Sequence, residues 1–271
     1  MQNKMSSQIF VDAHFHVFEV GQSVPEARYS PNYAAKFNDW QHVAQQVGVT
    51  HGVLVQTSFM GTDNAYLLEH LQQHPDTLRG VAVVAPSASY AELADLHRHG
   101  VRGIRLNLAG QSHDMAAWQS AKQLWDALLQ LGWHVELHTD TGALPSVLAA
   151  VPCEVPVVLD HFAKPVGVSQ HDETVRAVQS RVAATASAQV YVKLSAAYRL
   201  QVGVNARGLS QLWLNELGTA ALLWGSDWPC TNFEERADYL ALHHNLQDWL
   251  GNDDAVTQAV RSTNPMRLYW G

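Results

Sequence analysis

The chain has 271 residues, 47 % of them hydrophobic, and a formal net charge of −8 with histidine neutral. That content can bury a sizeable core, which excludes a disordered chain, and the acidic balance excludes nucleic acid as a natural partner, since phosphate binding needs a basic face. Two cysteines, Cys153 and Cys230, fit a reducing compartment, while the polar Met1–Ser7 stretch and the lack of any apolar run near ~20 residues predict a cytoplasmic chain with no membrane association.

The first predicted strand is Ile9–Val17. Regular alternation there puts Asp12, His14 and His16 on one face and Val11, Ala13, Phe15 and Val17 on the other. A polar face on a buried strand is costly unless its groups are paired, solvated in a pocket or bound to a metal. The strand Gly52–Ser58 follows, then a helix over Tyr66–His74 behind a Thr62-Asp63 cap signal, with Leu67, Leu68 and Leu71 on one side. Strands Gly80–Ala85 and Val101–Leu108 come next. In the second, Ile104, Leu106 and Leu108 form the helix-facing set and leave Arg105 and Asn107 pointing inward. A helix over Met115–Leu131 carries Trp118, Leu124, Trp125, Leu128 and Leu131 at helical spacing. The strand Trp133–Asp140 turns His138 inward by the same parity. Val155–Phe162 ends in Leu159-Asp160-His161, Val190–Ala196 contains Lys193 with Arg199 just beyond, and Ala220–Asp227 completes the series. Gly48, Gly100, Gly132 and Gly218 each stop a helix just before a strand, as a left-handed cap does.

Eight strand–helix units over residues 1–271 without a composition break imply parallel strands and right-handed crossovers, and at this length the expected closure is a single-domain α/β (β/α)8 TIM barrel. An open doubly wound sheet is the runner-up, but no G-x-G-x-x-G follows the first strand. In a barrel the active site lies at the C-terminal strand ends, which here bear His14, His16, Arg105, Asn107, His138, His161, Arg199 and Asp227. Lys193 reads either as a Schiff-base nucleophile or as an internal ion pair with Glu136. Glu19, His113, His134 and the pair His243-His244 read as surface or supporting residues.

The set Asp12-Ala13-His14-Phe15-His16, His138, His161 and Asp227, in this order along nearly the whole chain, resembles the amidohydrolase superfamily. Gly61-Thr62-Asp63-Asn64, Gly103-Ile104-Arg105-Leu106-Asn107, Asp160-His161-Phe162-Ala163-Lys164-Pro165, Lys193-Leu194-Ser195 and Trp224-Gly225-Ser226-Asp227-Trp228-Pro229 look like the branch of 2-pyrone-4,6-dicarboxylate lactonase and sugar lactonases. The resemblance implies hydrolytic opening of a small lactone, with Asp227 as the base that takes the water proton and His161 donating to the carbonyl or leaving oxygen. It implies one divalent ion, zinc or manganese, on His14, His16, His138 and Asp227. A binuclear centre is not expected, because neither strand four nor strand five offers a lysine to bridge two ions. The pyrone-dicarboxylate member is understood to work without metal and has a tyrosine in place of His138, so metal-free catalysis, with the histidines as hydrogen-bond donors, is the other expectation. Arg105 and Arg199 suit a substrate carboxylate, with Asn107 and His138 also on the substrate. A metal-dependent decarboxylase of the same superfamily is the alternative function.

Overall fold

A computed structural model of the protein describes residues 9–187 and 189–271; the polar opening stretch, residues 1–7, lies outside them. Among these residues, eight parallel strands pair in chain order. They are β1 (Val11–Phe15), β2 (His51–Val55), β3 (Leu78–Ala82), β4 (Val101–Asn107), β5 (His134–His138), β6 (Val157–Leu159), β7 (Val190–Leu194) and β8 (Leu222–Trp224). Each is followed by a helix: α1 (Phe37–Gln46), α2 (Ala65–Gln73), α3 (Tyr90–Arg98), α4 (Lys122–Leu131), α5 (Leu144–Ala149), α6 (Glu173–Ala184), α7 (Ala206–Leu217) and α8 (Tyr239–Trp249). The barrel closes just past β8, where the Asp227 N–H donates to the His14 carbonyl and the His16 N–H to the Trp228 carbonyl, both at 2.8 Å. This is the expected (β/α)8 architecture, and the four junction glycines all take positive φ.

Two elements differ from the sequence reading. The helix expected over Met115–Leu131 is broken into a short turn, Ala116–Gln119, and α4. At the break the Ser120 hydroxyl donates to the carbonyls of Ala116 and Ala117, an alternative to the helical ladder. The second difference lies in β1. Its pairing with β2 shifts register between Asp12 and Phe15, so one extra residue is accommodated there. The alternation therefore slips. Val11 and Ala13 join the interior cluster with Val53, Val55, Val81 and Val158, His14 also turns inward, and Phe15 stacks outward on Trp40 of α1 at 3.8 Å.

Asp12 consequently does not share a face with His14 and His16. It points outward, where its carboxylate accepts from Trp40 Nε1 at 3.0 Å, Tyr239 Oη at 3.0 Å, Ser226 Oγ at 2.7 Å and the Ser226 N–H at 2.9 Å. These bonds join β1, α1, α8 and the segment after β8 across the barrel seam. Burial pushes the Asp12 carboxyl up against the pull of its donors.

Elsewhere the parity holds. Ile104 and Leu106 pack with the helices while Arg105 and Asn107 face the interior, and Trp133, Val135 and Leu137 pack outward while His134, Glu136 and His138 face in. Gly103 permits this: a Cβ there would stand 2.6 Å from the His134 ring. Inside the barrel, Lys193 Nζ lies 2.5 Å from Glu136 Oε1, and Tyr269 from the C-terminal helix Asn264–Tyr269 donates to the same oxygen at 3.0 Å. Lys193 is fully buried in that pair. The ion-pair reading of Lys193 stands and the Schiff-base reading does not, because no carbonyl substrate can reach the amine. His134, also buried, belongs to this interior layer rather than to the surface.

Candidate active site

The C-terminal rim gathers His14, His16, Arg105, His138, Asp160, His161 and Asp227, all buried. A cavity of about 520 Å³ opens above them, lined by His16, Arg105, Asn107, His138, His161, Arg199 and Asp227 among others. Every site residue expected from the sequence except His14 reaches its wall, and His14 lies directly beneath.

Asp227 is held from one side and open on the other. Its Oδ2 accepts from Tyr198 Oη at 2.7 Å and from Arg199 Nε at 2.8 Å. Its Oδ1 faces three imidazoles, at 3.5 Å from His14 Nε2, 3.5 Å from His16 Nε2 and 3.8 Å from His161 Nε2. Burial raises the Asp227 pKa, but the Arg199 guanidinium and the neighbouring histidines outweigh it and hold the carboxyl well below its ordinary range. Arg199 is itself sandwiched near the rings of Phe233 and Tyr198, at 4.9 and 5.4 Å. Asp227 sits at φ +61°, a left-handed backbone that costs a non-glycine residue about 1 kcal/mol or more.

A second strained element aims His161. Residues 161 to 164 all have positive φ, a left-handed turn directly after β6. Trp213 Nε1 donates to the Phe162 carbonyl at 2.9 Å and the Gly142 N–H to the Lys164 carbonyl at 3.0 Å, which pins the turn from two sides. His161 Nδ1 lies 2.9 Å from Ser195 Oγ, and its Nε2 is buried without a hydrogen-bond partner. Burial lowers the pKa of both His161 and His138, so both rings are neutral near pH 7.

The donor atoms decide where a metal fits. His16 Nδ1 lies 2.7 Å from the Val55 carbonyl, an acceptor, so the ring proton sits there and Nε2 is a bare lone pair. His14 Nε2 is 3.2 Å from His16 Nε2. His14 Nδ1 is 3.3 Å from Asp160 Oδ1, a buried oxygen that has no hydrogen bond of its own. Lys193 Nζ lies 3.1 Å from the same Nδ1, so that nitrogen faces both an ammonium and a carboxylate. Burial, with Lys193 close by, lowers the His14 pKa to about 4, so the ring carries no extra proton to bridge the gap. His14 Nε2, His16 Nε2 and Asp227 Oδ1 stand 3.2–3.5 Å apart, a spacing that fits one cation between them. Atoms ~2.0–2.1 Å from one tetrahedral ion stand about 3.3 Å apart, which matches.

His138 does not join this set. Arg105 Nη2 donates to its Nδ1 at 3.2 Å, so the proton resides on Nε2, which becomes a donor facing the cavity rather than a ligand. The ligand atoms that converge are those of His14, His16 and Asp227, without the His138 expected as a fourth, and the His138 ring lines the cavity wall. A second triad of ligand atoms, His14, Asp160 and His161, is also close-packed. It is unsuited to a cation, because Lys193 Nζ is 3.7 Å from Asp160 Oδ1 and Arg105 Nε is 2.9 Å from Oδ2.

Asp160 and Tyr198 escaped the sequence reading. Parity along β6 would have found Asp160, which stands one residue past the outward Leu159. Tyr198 lies on a short 3-10 turn, Ala197–Arg199, where no periodicity operates. Arg105 and Arg199 lie in the cavity wall, but each already has an acid, Asp160 and Asp227 respectively. Asn107 Nδ2 donates to Ser58 Oγ at 3.2 Å and its Oδ1 is buried without a partner.

The geometry can be set beside known proteins. The 2-pyrone-4,6-dicarboxylate hydrolase of Comamonas testosteroni is 30 % identical over 96 % of this chain and 90 % of its own length. A 4-sulfomuconolactone hydrolase of Rhizobium radiobacter is 26 % identical over 95 % of this chain and 89 % of its own. Among solved structures, a probable 2-pyrone-4,6-dicarboxylic acid hydrolase from Acinetobacter baumannii, with citric acid bound, superposes with a TM-score of 0.85 at 30 % identity. That match covers 97 % of this chain and 99 % of the other. The amidohydrolase family model (Amidohydro_2) matches residues 11–270, and the chain belongs to that family.

Proposed function

We propose that the protein opens the ring of a small lactone by hydrolysis, with Asp227 as the base that activates water. The observation that carries this reading is the asymmetry of Asp227. One oxygen is fixed by Tyr198 and Arg199 while the other faces the histidines at the floor of the cavity. Such a carboxylate can take a proton from water at Oδ1 without rotating, and then pass it to the leaving alkoxide. The two relatives named for lactone hydrolysis support the same chemistry.

His14, His16 and Asp227 would hold one divalent ion, zinc or manganese. When bound it would polarise the ester carbonyl and acidify water. The chain's own groups do the rest. A Ser195 hydroxyl donating to His161 Nδ1 fixes the proton on Nε2, which can then donate to the carbonyl or ring oxygen as negative charge develops there. His138 Nε2, Arg105 and Asn107 orient the ring above Asp227, while Arg199 holds the Asp227 carboxylate itself. With Asp160 and Asp227 holding their Nε atoms, the two guanidiniums are fixed before substrate arrives. Without metal, the Nε2–H groups of His161 and His138 would act as the hydrogen-bond donors.

The test is a hydrolysis panel of 2-pyrone-4,6-dicarboxylate, muconolactones and sugar lactones, with metal content and released carbon dioxide measured on the same sample. Ring opening of at least one lactone with no carbon dioxide is expected. Carbon dioxide release without ring opening would make the protein a decarboxylase instead.

A further inference from the structure

Arg28 is a third guanidinium at the cavity, and nothing in the sequence patterns points to it. It lies on the long connection between β1 and α1, and its side chain lines the mouth. Its partner distinguishes it from the other two. Arg105 and Arg199 are each neutralised by a carboxylate at 2.9 and 2.8 Å. Arg28 Nη1 instead donates to the main-chain carbonyl of Ala109, on the loop after β4. A carbonyl accepts the hydrogen bond but leaves the unit charge uncompensated. Glu26, an acid on the same connection that also lines the cavity, forms no ion pair with Arg28 among the described residues.

The backbone of the loop after β4 lies against the Arg28 guanidinium. Gly110 has no side chain, and a Cβ there would come within 2.8 Å of Arg28 Nη1. The Gly110 N–H donates to both carboxylate oxygens of Asp140, at 2.9 and 3.0 Å, so the loop that receives the guanidinium is anchored from below. One free positive charge is thus held over the entrance of a cavity whose deeper arginines are already paired.

We propose that Arg28 is a specificity determinant that binds a substrate carboxylate remote from the ester being cleaved, so that this chain selects lactones bearing such a carboxylate over uncharged ones. The proposal rests on the lactonase reading above but names a residue and a substrate class that the reading leaves open. Its guanidinium can present two parallel N–H groups to a carboxylate, which a lysine cannot copy.

The experiment compares wild type, Arg28→Met and Arg28→Lys by calorimetric titration with citrate and with 2-pyrone-4,6-dicarboxylate. Steady-state kinetics follow on one carboxylated and one neutral lactone. We expect Arg28→Met to weaken carboxylate binding about 10- to 100-fold, Arg28→Lys to recover part of it, and KM rather than kcat to change, on the charged lactone alone. Unchanged affinity in Arg28→Met, equal losses on charged and neutral lactones, or a wild type that binds neither carboxylate would each overturn the assignment. Because titration requires no turnover, a protein that binds these anions through Arg28 but opens no lactone would refute the lactonase reading and leave Arg28 as an anion anchor.

Discussion

Arg199 illustrates how one side chain can be read two ways. From the sequence it is a second carboxylate clamp; in the structure its Nε is committed to Asp227 Oδ2 and its plane rests against Phe233. Arg199 Nη2 also donates to the Thr231 carbonyl at 2.9 Å, tying the strand-eight loop to Asp227. An arginine that positions the base should matter for every substrate. Arg199→Met is therefore expected to lower kcat by ~10- to 100-fold on charged and neutral lactones alike, the scale of losing one charge-assisted bond to a positioned group. A loss confined to anionic lactones, measured as kcat/KM across the panel, would return Arg199 to substrate binding. His138 shows the same lesson. Its type and inward parity were legible in the sequence, but its role turns on which ring nitrogen Arg105 occupies, and only the folded contact reveals that.

Parity reasoning succeeded on β4 and β5 because one face of each is aliphatic or aromatic throughout, so a buried outer face leaves no choice of register. It failed on β1 because a one-residue bulge leaves no trace in the residue types: Val11, Ala13, Phe15 and Val17 are apolar whichever way they point. The extra residue has a structural result. It turns His14 into the barrel interior and His16 toward the cavity, while Asp12 turns out to pin the seam beside Ser226, Trp40 and Tyr239. Breaking that pin should cost stability. Asp12→Ala strands several buried donors, and a loss of about 2–4 kcal/mol is expected in chemical denaturation. Unfolding at the wild-type denaturant midpoint would show that the seam holds without it. The left-handed turn after β6 was equally hidden, since four consecutive positive φ values at His161, Phe162, Ala163 and Lys164 violate the preference of every residue in it. Such strain persists only where packing over-determines it, and here it carries His161 to within 3.8 Å of Asp227.

At the scale of the whole molecule, the barrel was legible because eight repeats of one pattern leave few topologies, whereas the loops that finish the site were not. Tyr198 and Arg28 both lie on connections, where side chains follow no period and position is set by what the rigid barrel brings alongside. Among the described residues no helix is long and apolar enough to cross a membrane. The barrel's polar interior descends in layers, from the cavity through Asp160 and His14 to Lys193, Glu136 and Tyr269 at the C-terminal helix. Those layers serve one claim, that a single buried carboxylate at the end of the eighth strand runs the hydrolysis. The most direct measurement is the turnover of Asp227→Asn on whichever lactone the wild type opens, with the fold checked by circular dichroism. The account predicts a folded protein whose kcat has fallen by ~100-fold or more, the scale of a lost general base. Turnover at the wild-type rate would contradict it and send the proton elsewhere.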